Sequence, residues 1–134
     1  MFDNETGDAA FDTLALTAAD VMVERLTALG PGQVGVVGNT PTVRRPRAER
    51  DPDAIARETG AGYLVLGQVQ TDDAGVRLVV HLIRLDDGTH RWVTRVVRPA
   101  GALGDIQDVA ADRLALAVRQ HVIDRDPDAP RFTR

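Results

Sequence analysis

The stretch VRLVVHLIRLDDGTHRWVTRVV, residues 76–97, concentrates the side chains that could do chemistry. It holds His81 and His90, two of the chain's 3 histidines, together with the only tryptophan, Trp92, and the acidic pair Asp86–Asp87. It also carries four arginines, Arg77, Arg84, Arg91 and Arg95. Histidines beside carboxylates suggest a metal site, but such a site needs three or four ligands at fixed geometry. His81 and His90 approach one another across a hairpin, whereas Asp86 and Asp87 form its turn and His121 lies far along the chain. The expectation is solvated or edge histidines and no metal. Trp92 is expected to anchor a sheet face, its large area buried, rather than to stack on a ligand. Arg77, Arg91, Arg95 and Arg98 are expected on the solvated side of their strands, where charge also discourages edge pairing.

Other constellations fall short of catalysis. GPGQVG, residues 30–35, spells the dinucleotide pattern of three glycines, but it follows a helix and opens a strand. A pyrophosphate needs the reverse order, because the helix N-terminus holds it. The segment is read as a helix stop and tight turn. No lysine is present, so no phosphate loop ending in Gly-Lys-Ser/Thr is possible. No Ser-His-Asp order and no carboxylate pair in an apolar setting stands out. Arg44, Arg45, Arg47 and Arg50 cluster in a loop and could contact a partner or an anion, although Glu49, Asp51 and Asp53 dilute their charge.

Hydrophobic spacing gives the elements that hold these residues. Phe11, Leu14, Ala15, Ala18, Met22, Leu26 and Leu29 form one stripe of a helix over 8–29. QVGVVG, 33–38, predicts a buried strand, and 39–50 a loop. DPDAIARETG, 51–60, predicts a short helix with Asp51 as N-cap, Pro52 in the first turn and Gly60 as the stop. AGYLVLGQVQ, 61–70, predicts a strand, followed by a turn over 71–75. Val76, Leu78, Val80 and Leu82 alternate with Arg77, Val79, His81 and Ile83, a strand of period two. Asp86–Asp87–Gly88 makes a hairpin turn with Gly88 at positive φ, and His90 to Arg98 returns, with Arg91, Val93, Arg95 and Val97 on one face and His90, Trp92, Thr94 and Val96 on the other. A last helix spans 105–123, with Ile106, Val109, Ala110, Leu114 and Ala117 inward, and 124–134 reads as a flexible tail. The expected fold class is a two-layer α/β (α+β) domain over 1–123, in the order α-β-α-β-β-β-α, with helices packed on a mixed sheet.

Length and composition agree with one soluble domain: 134 residues, 43% hydrophobic and 27% charged. A net charge of −4 opposes nucleic-acid binding over a broad face. The absence of cysteine excludes disulfides, zinc–thiolate sites and thiol nucleophiles within this chain. No apolar run is long enough to span a membrane, and MFDNETGD is unlike a signal peptide. A cytoplasmic location is the default expectation, and a periplasmic one would follow from an upstream signal. All 16 basic residues are arginine, read here as the bias of a GC-rich bacterial genome.

Taken in order, several segments resemble the TolB N-terminal-like α/β domain that accompanies bacterial adenylate cyclases, CadC-type regulators and tetratricopeptide-repeat proteins. They are FDNETGD at 2–8, VGVVG at 34–38 and DAIARETGAGYLVLGQVQ at 53–70, with Ala56, Arg57, Glu58, Gly60, Leu66 and Gly67 on the pattern. VRLVVHLIRLDDGTHRW at 76–92 and GDIQDVAADRLA at 104–115 complete the match, over about residues 2–123. The resemblance implies no catalytic residue and no cofactor. It implies an accessory module for interaction, sensing or regulation, with Gly60, Gly67, Gly88 and Trp92 structural. The family's first strand, which ends in Pro-Phe, has no counterpart ahead of Met1–Phe2, so the sheet is expected to lack it. A sheet short of one strand exposes unpaired backbone groups, which predicts a homodimer or a swapped terminal segment across the gap. The function expected is a non-catalytic protein-interaction or regulatory module of a bacterial signalling or envelope system, with the open edge and the Arg44–Arg50 loop as partner surfaces. The alternative is a small-ligand sensor that binds an anion near Arg44, Arg45 and the Asp51 helix N-terminus.

Overall fold

The computed structural model describes residues 2–29, 35–37, 51–123 and 131–133. Its elements are β1 (Phe2–Asn4), α1 (Asp12–Thr27), β2 (Gly35–Val37), α2 (Pro52–Thr59), β3 (Tyr63–Asp72), β4 (Gly75–Arg84), β5 (His90–Arg98), α3 (Ile106–Val118) and β6 (Arg131–Thr133). A 3-10 turn, Ala9–Phe11, leads into α1, and α3 runs on into a π turn, Arg119–Ile123. The sheet order is β2-β6-β3-β4-β5, and β1 also pairs with β3. β3, β4 and β5 form the antiparallel meander, while β1 and β6 run parallel to β3. The fold is thus the expected α+β arrangement of helices on a mixed sheet.

Alternation along the strands builds two cores. Val65 and Val69 of β3, Val76, Leu78, Val80 and Leu82 of β4, and Val96 of β5 face α1 and α3. The helices answer with Ala15, Ala18, Met22 and Leu26, and with Ile106, Ala110, Leu114 and Val118. Alanines at these positions let helix backbones approach the sheet closely, so small side chains still give dense packing. On the other face Leu64, Leu66 and Ile83 meet Ile55 of α2, Ala61 and Leu85. β3 is buried on both faces from Tyr63 to Val69, which explains the unbroken apolar run from Tyr63 to Gly67, and Gln68 is the buried polar exception.

The local signals behave as their chemistry requires. The Asp51 carboxylate accepts the Asp53 N–H at 3.0 Å, and Gly60 closes α2 in the left-handed region at φ 68°. Gly88 also sits at φ 68°, in the hairpin turn.

Three expectations need correction. The first strand is present: Phe2–Asn4 lies parallel to Gly67–Val69, and the Glu5 N–H extends the ladder to the Val69 carbonyl at 2.9 Å. Three residues are too few for a period to show in the sequence, and the strand exists only because β3 offers its edge. The second concerns residues 124–134, read as a tail, where Arg131–Thr133 forms β6, pairing with both β2 and β3. β1 and β6 thus share one edge of β3, against Gly67–Val69 and against Tyr63–Leu64.

The third is the face of His90. The β4–β5 register shifts between Leu82 and Ile83, so Leu82 pairs with Trp92 and Ile83 with His90. Arg91 is therefore the extra residue of a bulge. An unbroken period would put His90 and Trp92 on one face. The bulge sends Trp92 toward the helices and His90 to the opposite face.

Candidate interaction surface

β5 ends the sheet, and no strand among the described residues pairs with its outer side. Its burial alternates: Val96 is buried, whereas Val93 and Val97 are 44% and 41% exposed. The alternation follows from the meander. Trp92, Thr94 and Val96 pair with Leu82, Val80 and Leu78, whose side chains point at the helices. Val93, Arg95 and Val97 point to the opposite face, beyond the reach of α2.

On the helical side, α3 packs over β5 and leaves a shallow groove of about 240 Å³. Trp92, Thr94, Arg113, Leu116, Ala117 and Gln120 line it. Leu116 is 56% exposed, a large apolar side chain turned away from the helix's buried stripe. Arg113 Nη1 donates to Thr94 Oγ1 at 3.3 Å and to the Arg95 carbonyl at 3.2 Å. That guanidinium stands at the sheet edge, without a carboxylate partner among the described residues. Arg91 lies 3.5 Å from Asp87, and Arg98 donates to Asp105 at 3.0 Å. The β5 side therefore combines apolar surface on both faces with a rim of arginine.

Hydrogen bonds from the Thr89 hydroxyl and N–H hold the Asp87 carboxyl below its ordinary value, with Arg91 and Arg84 adding to the effect. The hydrogen bond from Arg98 does the same for Asp105. Both stay ionised through the neutral range and tie down the ends of β5.

The residues singled out in the sequence are distributed as follows. The His81 and His90 rings do meet, edge to face with centroids 5.3 Å apart. His81 Nε2 lies 2.8 Å from Gln68 Oε1. Asp86 binds Arg84 at 2.8 Å and Asp87 binds Thr89, so neither turn carboxylate joins the imidazoles. Among the described residues no group of three or more histidines and carboxylates could hold a metal ion. Arg77 pairs with Asp72 at 3.3 Å and donates to Gln70 at 3.0 Å. Trp92 is half-buried against the main core, its other side open to the groove. The ring of Phe2 lies against Gly67. Arg44, Arg45, Arg47 and Arg50 lie outside the described residues. At the neighbouring helix N-terminus Asp51 already occupies the capping position, and Asp53 follows it, so an anion there would meet two carboxylates.

Sequence reasoning missed Arg113 and Leu116. The available signal was Leu116 itself, a leucine off the inward stripe that runs through Ile106, Ala110, Leu114 and Ala117.

No protein-family model matches the sequence, and no curated protein matches it. Solved structures do. TolB from Acinetobacter baumannii superposes with a TM-score of 0.50 at 10% identity, over 89% of this chain and 28% of TolB. The fold is TolB N-terminal-like. The chain spans 28% of the TolB chain, so the likeness concerns one α/β domain and its architecture alone. The PelC dodecamer of Paraburkholderia phytofirmans is similar at a TM-score of 0.46 and 16% identity, over 97% of this chain and 86% of that one. The C-terminal domain of LpoB from Escherichia coli is similar at 0.42 and 18%, over 72% and 76%. No helix among the described residues is long and apolar enough to cross a membrane.

Proposed function

We propose that this chain is a non-catalytic protein-interaction and regulatory module of a bacterial signalling or envelope-associated protein. One observation carries the reading: the open β5 edge, with Val93 and Val97 exposed on one face and the Trp92–Leu116 groove on the other. Backbone groups at a free edge, flanked by apolar side chains and an arginine rim, are what an incoming chain recognises. The TolB N-terminal-like fold supports the reading, since it presents a sheet edge beside a helix. The surface offers shape and charge, with apolar side chains on both faces and the Arg113 guanidinium at the edge.

The test is site-specific photocrosslinking in the native cells, with the reactive side chain placed at Val97 or Leu116, and at Glu58 on α2 as a control. Protein adducts from the β5 side and none from Glu58 are expected. Absence of adducts from all three positions, or equal adducts from each, overturns the proposal.

A further inference from the structure

The helical layer has two flanks. α1 and α3 lie side by side, joined where Arg25 reaches Asp108 and Asp112. The flank of α3 away from α1 forms the β5 groove. The flank of α1 away from α3 forms a second groove with β1, about 280 Å³, lined by Phe2, Asn4, Asp12, Ala15 and Leu16. Leu16 is 70% exposed, so the two exposed leucines of the helices, Leu16 and Leu116, mark opposite flanks. In the path β1-β3-β4-β5 the grooves stand three strand spacings apart, about 14 Å.

The two grooves match in make-up and oppose in charge. One holds Trp92, Leu116, Ala117 and the cation of Arg113. The other holds Phe2, Leu16, Ala15 and the anion of Asp12. Asp12 Oδ1 accepts from the Asn4 amide at 2.8 Å and has no cationic partner among the described residues. Asp8 adds negative charge beside β1, while Arg95 adds positive charge on β5. A two-fold pairing of β5 with itself would bring Arg91 and Arg95 of two copies together, and like charges across strands repel.

We propose that the occupant of the β5/α3 flank is the β1/α1 flank of a second copy of this chain. The inference rests on the reading of β5/α3 as a docking surface and names its partner. Leu16 of one copy enters the Trp92–Leu116 groove of the next, and Asp12 meets Arg113. Such a contact uses two different patches, so two copies cannot satisfy both, and assembly proceeds to a ring or an open chain. The homodimer expected from a missing strand is thereby replaced: β1 is in place, and its outer flank is the surface offered.

Sedimentation of the full chain decides the matter. The weight-average mass is expected to climb past twice the monomer between about 10 μM and about 1 mM, the range of a weak repeated contact. Arg113→Glu and Asp12→Arg, each shown folded by circular dichroism, should each sediment as monomers, because each alone sets like charges face to face. Mixed in equal amounts they should regain the wild-type mass. In the mixture the reversed charge at position 113 of one variant meets the reversed charge at position 12 of the other. The Asp12 kept by the first variant likewise meets the Arg113 kept by the second. Leu16→Ser should also be monomeric. A wild type that stays monomeric, a closed dimer insensitive to Asp12→Arg, or a mixture without recovery overturns the inference. If the wild type is monomeric while crosslinks from Val97 and Leu116 capture a different protein, the module reading survives and self-association falls.

Discussion

The ring of Phe2 occupies the space above Gly67 that a side chain at that position would fill. The two residues are register partners across the parallel β1–β3 pair. The contact gives the N-terminal strand its hold on the sheet, because Phe2 is buried in the main core among α1 and β3 side chains. Three paired residues alone would not keep a chain terminus in place, given the entropy cost of ordering each one. Asn4 secures the next turn: its amide donates to the Asp8 carbonyl and its Oδ1 accepts from Thr6.

Gly67→Ala should destabilise by about 1–3 kcal/mol through overpacking against that ring. Phe2→Ala should cost about 3–5 kcal/mol through the cavity it leaves. Combined, the two should cost less than their sum, because the emptied ring site accepts the added methyl. Urea unfolding of the four proteins checks this, and strict additivity would mean that the ring and Gly67 do not meet.

Gly60→Ala should cost about 1–2 kcal/mol, since the helix stop requires a left-handed φ. Gly60→Asn should cost less, because asparagine enters that region more readily. Thermal melts of the pair rank them.

The acid limb of stability carries a signature of the hairpin ends. Asp87 and Asp105 have folded-state values below the ordinary 3.8, so each stabilises the fold above that value. The contribution disappears as pH falls through the lowered folded values. Asp87→Asn and Asp105→Asn should therefore lower the melting temperature near neutrality. The gap from wild type should narrow as pH falls below the ordinary carboxyl value of 3.8. A gap that persists or widens in acid contradicts the assignment.

Arg25 bridges α1 to Asp108 and Asp112 of α3, yet the carboxylates are 51% and 70% exposed. Arg25→Ala should cost no more than about 1 kcal/mol, and the loss should shrink as salt is added. Denaturant midpoints in low and high salt test it. A large, salt-independent loss would show that the arginine stem, and not the ion pair, holds the helices together.

Periodicity made the meander legible, because Val76, Leu78, Val80 and Leu82 each repeat at two residues and meet their helices independently of neighbours. The α2 boundaries were equally legible, since Asp51, Pro52 and Gly60 act on their own backbone. Leu16 and Leu116 stand off the inward stripes of their helices, which signals exposure, but only the folded sheet decides which flank each one marks. Arg91 gave no local sign of being an extra residue, because a bulge is defined by the partner strand.

The chain by itself determined its elements: which residues alternate, where the helices start and stop, and that the hairpin turns at Gly88. Those outcomes depend on contacts within about ten residues, which composition and spacing encode directly. Tertiary structure decided the rest. It admitted Phe2–Asn4 and Arg131–Thr133 to one edge of β3, turned His90 away from Trp92, and set Asp12 with Leu16 on the flank opposite Arg113 with Leu116. Each of these is a pairing between distant segments, selected by which unfilled edge or face the folded sheet had left.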